Sequence, residues 1–158
     1  MKRFFIVLAI SCAVSIGAVD AQEMQKGSTL LNLGMGLGPG VGANISLDYG
    51  LIDEWGDGIF TLGGFVGIHS SHTYVGGVNY ALIAFAPRAT YRYTIDHRFE
   101  VYGVFSLGAF FYTGDHSGGG PFWGIAAGGR YNLPGNISLF TELGHNLSGL
   151  TLGLSFKL

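Results

Sequence analysis

The sequence predicts an all-β protein, an eight-stranded antiparallel up-and-down transmembrane β-barrel, from three observations. The last segment alternates strictly, with Leu150, Leu152, Leu154, Phe156 and Leu158 on one parity and small or polar residues on the other. Successive side chains of a strand point to opposite faces, so this period of two indicates a strand with one apolar face. The charged residues of the predicted strands all fall on the second parity. Only 11% of the residues are charged, and no other part of the chain remains to cover so much apolar surface, which favours a closed barrel with lipid outside and polar groups inside.

The N-terminal segment has the composition of a secretory signal peptide. Lys2 and Arg3 precede an apolar run over residues 4–18, and a small residue, Ala21, ends the segment. We therefore expect residues 1–21 to be removed and residues 22–158 to form one barrel domain. A retained anchor and lipoprotein processing at Cys12 are the alternatives. Cys12 is the only cysteine, so the mature barrel is predicted to contain no disulfide.

The rest of the composition argues against two other classes of protein. No apolar run after residue 21 approaches the roughly 20 residues that a membrane-spanning helix needs. The formal net charge is −2, and there is no basic patch of the kind that binds nucleic acid.

Turn and loop signals bound each predicted strand. Glycine, proline, asparagine and aspartate cluster where one strand gives way to the next. The signals lie at residues 38–40, 53–58, 95–98, 134–135 and 146–149, and two longer polar or glycine-rich stretches lie at residues 69–79 and 114–120. The predicted strands are residues 29–37, 42–51, 59–68, 80–94, 99–112, 122–133, 136–145 and 150–158.

An even number of strands beginning at eight is typical of bacterial single-chain barrels. With both chain ends in the periplasm, alternate connections share one side of the membrane. The turns near Trp55, His97 and Gly135 are therefore predicted to be periplasmic, and the stretches near Pro39, His72, His116 and Leu147 external.

Pro87 lies in the middle of the fourth strand. Because proline has no backbone N–H to donate, we expect a bulge or a local break there.

Outward aromatic residues gather toward the two ends of the predicted strands. Two aromatic girdles at the membrane interfaces are typical of lipid-facing barrels. The predicted interfacial aromatics are Tyr49, Phe60, Tyr91, Tyr93, Phe99, Tyr131 and Phe156 toward the periplasm and Phe111 and Trp123 toward the outside.

The inward parity carries acids and bases together. An eight-stranded barrel is just wide enough for side chains to fill its interior, and buried charges require partners. We therefore expect a packed ionic network that closes the lumen; a narrow ion path or a buried catalytic acid is the alternative. The predicted network comprises Asp48, Arg88, Arg92, Glu100, Arg130, Glu142 and Lys157.

The segment from Phe140 to Leu158, FTELGHNLSGLTLGLSFKL, resembles the closing hairpin of a small outer-membrane β-barrel protein family of Gram-negative bacteria. The runs APRATYRY from Ala86, FEVYGV from Phe99 and GGRY from Gly128 resemble the same family, so the resemblance covers most of the mature chain. It implies outer-membrane lipid as the surroundings and insertion by the barrel-assembly machinery, which reads an aromatic-containing last strand. Here the terminal residue is Leu158, with Phe156 two positions before it.

Histidine and serine residues near the expected outer rim are the candidates for chemistry. Imidazole and carboxylate groups can bind metal, but the spacing of His69, His72, His116 and His145, with Asp115 nearby, matches no metal signature. A serine beside a histidine can act as nucleophile and base, and the candidate pairs are His145 with Ser148 and His69 with Ser71. Glu142 points inward while His145 points outward, which opposes a shared site.

These observations favour a non-enzymatic integral outer-membrane protein with a structural or surface-interaction role carried by the loops at residues 70–79 and 113–121. We expect no catalytic, metal-binding or cofactor-binding residues and no cofactor, and the sequence identifies no surface partner. The alternatives are a lipid A-modifying outer-membrane enzyme and a soluble exported barrel that binds an apolar ligand.

Overall fold

A computed structural model describes residues 24–38, 40–72, 79–114 and 117–158. The expected signal peptide, Pro39, and the candidate residues Asp115 and His116 therefore lie outside the described residues. The chain forms eight strands, as the sequence predicts: β1 (Thr29–Leu37), β2 (Gly40–Trp55), β3 (Gly58–His72), β4 (Asn79–Asp96), β5 (Phe99–Gly114), β6 (Gly118–Asn132), β7 (Ile137–His145) and β8 (Leu150–Lys157).

The strands form a closed antiparallel barrel in sequence order. β1 pairs with β2 on one side and with β8 on the other, with Leu33 opposite both Ile45 and Leu154. The predicted fold is confirmed. We call the end that carries the β1–β2, β3–β4, β5–β6 and β7–β8 connections the outer end, and the opposite end the inner end. Among the described residues, no helix is both long and apolar enough to cross a membrane.

Side chains follow the predicted parity along the strands. On β4, Arg92 is 1% exposed while its neighbour Tyr91 is 39% exposed. On β1, Leu33 and Leu37 are exposed while Asn32 is buried. The apolar surface therefore faces outward all round the barrel, and the polar side chains lie inside.

Pro87 neither ends β4 nor forms a bulge, which corrects the expected bulge, and the expected local break is limited to the pairing with β5. The pairing of β4 with β3 continues through Gly64 and Pro87 without a shift in register. Pairing with β5 stops at Phe85 opposite Ala109 and resumes in the same register at Arg88 opposite Ser106. Because proline has no N–H to donate, the strand omits ladder pairing on one side only and stays continuous.

Strands β2 to β6 are longer at the outer end than the sequence predicts. β3 extends to His72, and β6 begins at Gly118, so residues 70–72 and 118–121 are strand and not loop. The glycines of this part of β6 pair with β5, where Tyr112 lies opposite Gly118. Glycine is a weak strand former, so pairing with an ordered neighbour, and not local preference, sets this strand start.

The segment before β1 lies against the inner end of the barrel. The Gly27 N–H donates to the Gly50 carbonyl at 2.9 Å, and the Gly50 N–H donates to the Ser28 carbonyl at 3.0 Å. These bonds hold Met24, which is only 2% exposed, beside the inward-facing Leu30 at the edge of a small cavity.

Candidate functional site

Asp48 is the centre of the charged lumen and is fully buried. Its Oδ2 lies 2.6 Å from Arg92 Nη2 and accepts a hydrogen bond from Asn32 Nδ2 at 3.0 Å. Its Oδ1 lies 3.0 Å from Arg88 Nε, an ion pair without hydrogen-bond alignment. One carboxylate from β2 thus forms ion pairs with two guanidinium groups from β4.

Arg88 joins this centre to a second carboxylate across the lumen. Arg88 Nη2 donates to Glu142 Oε1 at 3.0 Å. The same oxygen accepts from the Tyr102 hydroxyl at 3.2 Å. The guanidinium groups of two arginines lie over the Tyr102 ring. The Cζ atom of Arg92 is 4.8 Å from the ring centroid, and the Cζ atom of Arg130 is 5.6 Å from it, which is a favourable cation–π arrangement.

Glu100 pairs more loosely with the remaining arginines. Glu100 Oε2 lies 3.4 Å from Arg130 Nη1 and 4.0 Å from Arg92 Nη1. Its other oxygen accepts from Asn132 Nδ2 at 3.4 Å. Because these contacts are longer than those of Asp48, Glu100 contributes the weaker part of the network.

Asn32 connects the charges to the seam between the first and last strands. Its amide nitrogen donates to Ser46 Oγ at 3.0 Å as well as to Asp48. Its carbonyl accepts from Arg130 Nη2 at 3.0 Å and from Ser155 Oγ at 2.7 Å. A single amide on β1 therefore bonds to side chains on β2, β6 and β8.

The six buried charges balance each other. Asp48, Glu100 and Glu142 carry three negative charges, and Arg88, Arg92 and Arg130 carry three positive ones, each residue being at most 6% exposed. Lys157, the remaining predicted member, is half-buried at the inner end and lines the small cavity there beside Glu100 and Arg130.

A second layer, which the sequence analysis missed, fills the lumen toward the outer end. Phe65, Ala84, Ala86 and Phe122 are buried together. The rings of Phe65 and Phe122 lie 5.3 Å apart between centroids. We call these four residues the apolar layer. Leu82, Phe110 and Leu147 pack against it from the outer side, so side chains and not an aqueous channel occupy this level of the barrel.

The predicted interfacial aromatics all lie on the outward parity. Two of them make ring contacts. Phe111 stacks on Phe85 at 6.0 Å between centroids, and Trp123 contacts His145 at 4.6 Å. The inward-facing aromatics Phe65, Phe122 and Tyr102 belong instead to the lumen.

The histidine and serine candidates come together in a different combination from those predicted. His69 Nδ1 lies 3.3 Å from Ser148 Oγ, whereas His145 contacts Trp123. Ser148 is only 6% exposed, so its hydroxyl fastens the β7–β8 turn to β3. The side chains of Ser71 and His72 lie outside the described residues. No group of three or more metal-binding side chains occurs among the described residues.

Solved structures with a similar backbone are eight-stranded membrane barrels. A de novo designed transmembrane β-barrel matches 87% of this chain and 100% of its own, with 17% sequence identity and a TM-score of 0.59. The N-terminal β-barrel domain of Pseudomonas aeruginosa OprF matches 85% of this chain and 100% of its own, with 16% identity and a TM-score of 0.57.

This is the fold of a transmembrane β-barrel. A third neighbour, the Yersinia pestis outer membrane protein Ail in a phospholipid bilayer nanodisc, matches 84% of this chain and 100% of its own, with 15% identity and a TM-score of 0.54. No family model and no curated protein matches the sequence. At these identities the likeness extends to the fold alone.

Proposed function

We propose that the protein is a non-enzymatic integral outer-membrane barrel with a structural or surface-interaction role. In this proposal residues 1–21 direct export, residues 22–158 are inserted by the barrel-assembly machinery, and the outer end of the barrel faces the outside of the cell. The observation that carries the proposal is the division between an apolar exterior and an ionic interior in the same closed barrel.

The exterior supports a hydrocarbon environment. Large apolar side chains are exposed over the whole circumference, and Met35, Ile45 and Leu143 are 62%, 46% and 60% exposed. In water such a continuous surface would associate, since soluble monomers rarely expose apolar patches above a few hundred Å². In a bilayer the same surface is favourable, and the closed ladder leaves few backbone groups without a partner in the hydrocarbon.

The interior supports a structural role for the charges. Six paired charges and the apolar layer occupy successive levels of a lumen that is barely wide enough for side chains. A diffusion pore needs a continuous water path, whereas the small inner-end cavity measures only about 10 Å³, room for about one water molecule.

The outer end supports a role at the cell surface. β4 has 18 residues and β8 has 8. At a rise of about 3.3 Å per residue and a tilt of about 40°, β4 rises about 45 Å along the barrel axis, whereas the apolar band of such barrels is about 25 Å tall. The longer strands, β2 to β6 with 15 to 18 residues each, thus project beyond the membrane and give a folded surface at residues 70–72 and 118–121, where loops are predicted from the sequence.

The alternative functions receive less support. A lipid A-modifying enzyme would need an accessible nucleophile, but Ser148 is buried and its partner His69 has no carboxylate among its described contacts. A soluble ligand-binding barrel would need polar residues on the parity that here carries leucine, isoleucine and aromatic residues.

Membrane extraction of the full chain expressed in a Gram-negative host tests the proposal. We expect the protein in the outer-membrane fraction, released only by detergent, with gel migration that changes on heating because the closed barrel resists unfolding. Lipid A from the same cells should give a mass spectrum unchanged from cells without the protein. Release by salt or alkali alone, or a new lipid A species that depends on Ser148, would contradict the proposal.

A further inference from the structure

One stretch of β6 has a strand neighbour on one side only. Residues 118–124 pair with β5, from Gly118 opposite Tyr112 to Gly124 opposite Ser106. On the other side, the pairing of β6 with β7 begins at Ile125 opposite His145. Among the described residues, no strand continues this ladder toward the outer end.

Two hydrogen bonds at the far end of β6 show which residues turn their backbone groups toward the unpaired side. The Asn132 N–H donates to the Arg98 carbonyl on the β5 side at 2.7 Å, and the Leu133 N–H donates to the Ile137 carbonyl on the β7 side at 3.0 Å. Backbone groups alternate along a strand, and the register between β5 and β6 has no shift. Gly119, Pro121 and Trp123 therefore direct their backbone groups to the unpaired side.

The residues at these positions fit an edge. In edge strands, proline occurs with its nitrogen toward the free side, where no hydrogen bond of the sheet is lost. The nitrogen of Pro121 likewise points to the unpaired side of β6. Natural edges are commonly protected by charged side chains, but residues 117–125 include none. Five backbone groups therefore point to the unpaired side of β6. They are the N–H groups of Gly119 and Trp123 and the carbonyls of Gly119, Pro121 and Trp123. We call residues 119–123 the open edge.

We propose that the open edge binds an extended segment of another polypeptide, which adds as a further strand beside β6. A row of backbone donors and acceptors at strand spacing is complementary to another extended backbone. Trp123, which is exposed on the outward face, favours a segment with apolar side chains on that face. The inference rests on the proposed function, because it requires the outer end to face the outside of the cell.

A second copy in the same membrane does not fit the open edge. Both copies would cross the bilayer in the same direction with the same strand tilt of about 40°. A two-fold axis along the membrane normal would then set the two β6 strands at about 80° to each other, too steep for a shared ladder. Because a two-fold pair of copies is excluded, we assign the open edge to a segment of a different molecule.

Amide hydrogen exchange of the full mature chain in phospholipid nanodiscs tests whether the edge is open. We expect the amide of Trp123 to exchange at least 100-fold faster than that of Phe122, whose N–H is directed to β5. Equal protection of the two amides would overturn the proposal, because the edge would then already be covered.

Peptide binding to the same nanodiscs tests what occupies the edge. The probe is a fluorescent peptide with the sequence of residues 107–113 flanked by lysines, since this segment of β5 already pairs with the opposite side of β6. We expect saturable binding that slows exchange at Trp123. The same peptide with proline at its centre, and nanodiscs without protein, should bind at least tenfold more weakly. Absence of saturable binding, or binding without protection of Trp123, would overturn the proposal.

A matched pair of variants isolates the backbone donor. Trp123→Pro and Trp123→Ala both lose the indole ring, but only the first loses the N–H. We expect Trp123→Pro to bind the peptide about fivefold more weakly than Trp123→Ala, the effect of one hydrogen bond, and equal affinities would contradict edge pairing. Because the barrel is already folded in nanodiscs, these results are separate from the test of outer-membrane location.

Discussion

Replacing Asp48 by asparagine tests the ionic lumen at the carboxylate that pairs with both arginines of β4. The substitution keeps the shape of the side chain but leaves three buried arginines facing two carboxylates. Arg88 keeps Glu142 at 3.0 Å, whereas the nearest remaining carboxylate to Arg92 is Glu100 at 4.0 Å. Because removal of one partner from a buried ion pair typically costs about 3–5 kcal/mol, we expect Asp48→Asn to lower the free energy of unfolding by about that amount.

Urea titration of the barrel in lipid vesicles, followed by tryptophan fluorescence, measures this free energy. Glu100→Gln is the matched control, and its longer contacts of 3.4 and 4.0 Å predict a smaller loss of about 1–3 kcal/mol. The double variant Asp48→Asn/Arg92→Gln restores charge balance, so its loss should fall about 0.5–3 kcal/mol short of the sum of the single losses. A loss below about 1 kcal/mol for Asp48→Asn, or simple additivity in the double variant, would refute a paired ionic lumen.

Two further predictions concern packing and conduction. A Cβ at Gly128 would lie 2.5 Å from a ring carbon of Tyr102, whereas one at Gly103 would have nothing within 4 Å. Urea titration should therefore show that Gly128→Ala lowers the free energy of unfolding by about 1–3 kcal/mol, whereas Gly103→Ala leaves it unchanged or raises it by up to about 1 kcal/mol. Equal losses would argue against the packing of Tyr102 on Gly128. In planar bilayers, neither the natural chain nor the double variant Phe65→Ala/Phe122→Ala should give large, stable conductance steps, because the ionic network still closes the lumen below the apolar layer. Such steps in the natural chain would contradict a filled lumen.

The sequence predicts the direction of each side chain well, because strand parity is a local property. Arg92 and Tyr91 are adjacent, and their opposite burial follows from period two alone. The partners of each charge are not local. Asp48 meets Arg92 across the barrel at a sequence separation of 44 residues, and this meeting depends on the stagger of strands that are not neighbours in sequence.

The apolar layer and the projecting strands were missed for related reasons. Phe65 and Phe122 share the inward parity with the charges, but period two does not show at which level of the lumen a side chain lies or which side chains it meets there. Gly118 carries a loop signal, and its strand conformation comes from pairing with Tyr112 on β5. Local propensity cannot reveal a ladder that a distant strand imposes.

The solvent outside the barrel is tested most directly by placing arginine at two equally exposed positions on β1. Leu33 and Leu37 both face outward and are each 43% exposed, but Leu33 lies at the centre of the strand and Leu37 at its outer end. If hydrocarbon surrounds the barrel, Leu33→Arg should lower the free energy of unfolding in lipid vesicles by about 2–4 kcal/mol and Leu37→Arg by about 0–1 kcal/mol. A loss of no more than about 1 kcal/mol for Leu33→Arg, equal to that for Leu37→Arg, would mean that no hydrocarbon surrounds this surface and would contradict the account.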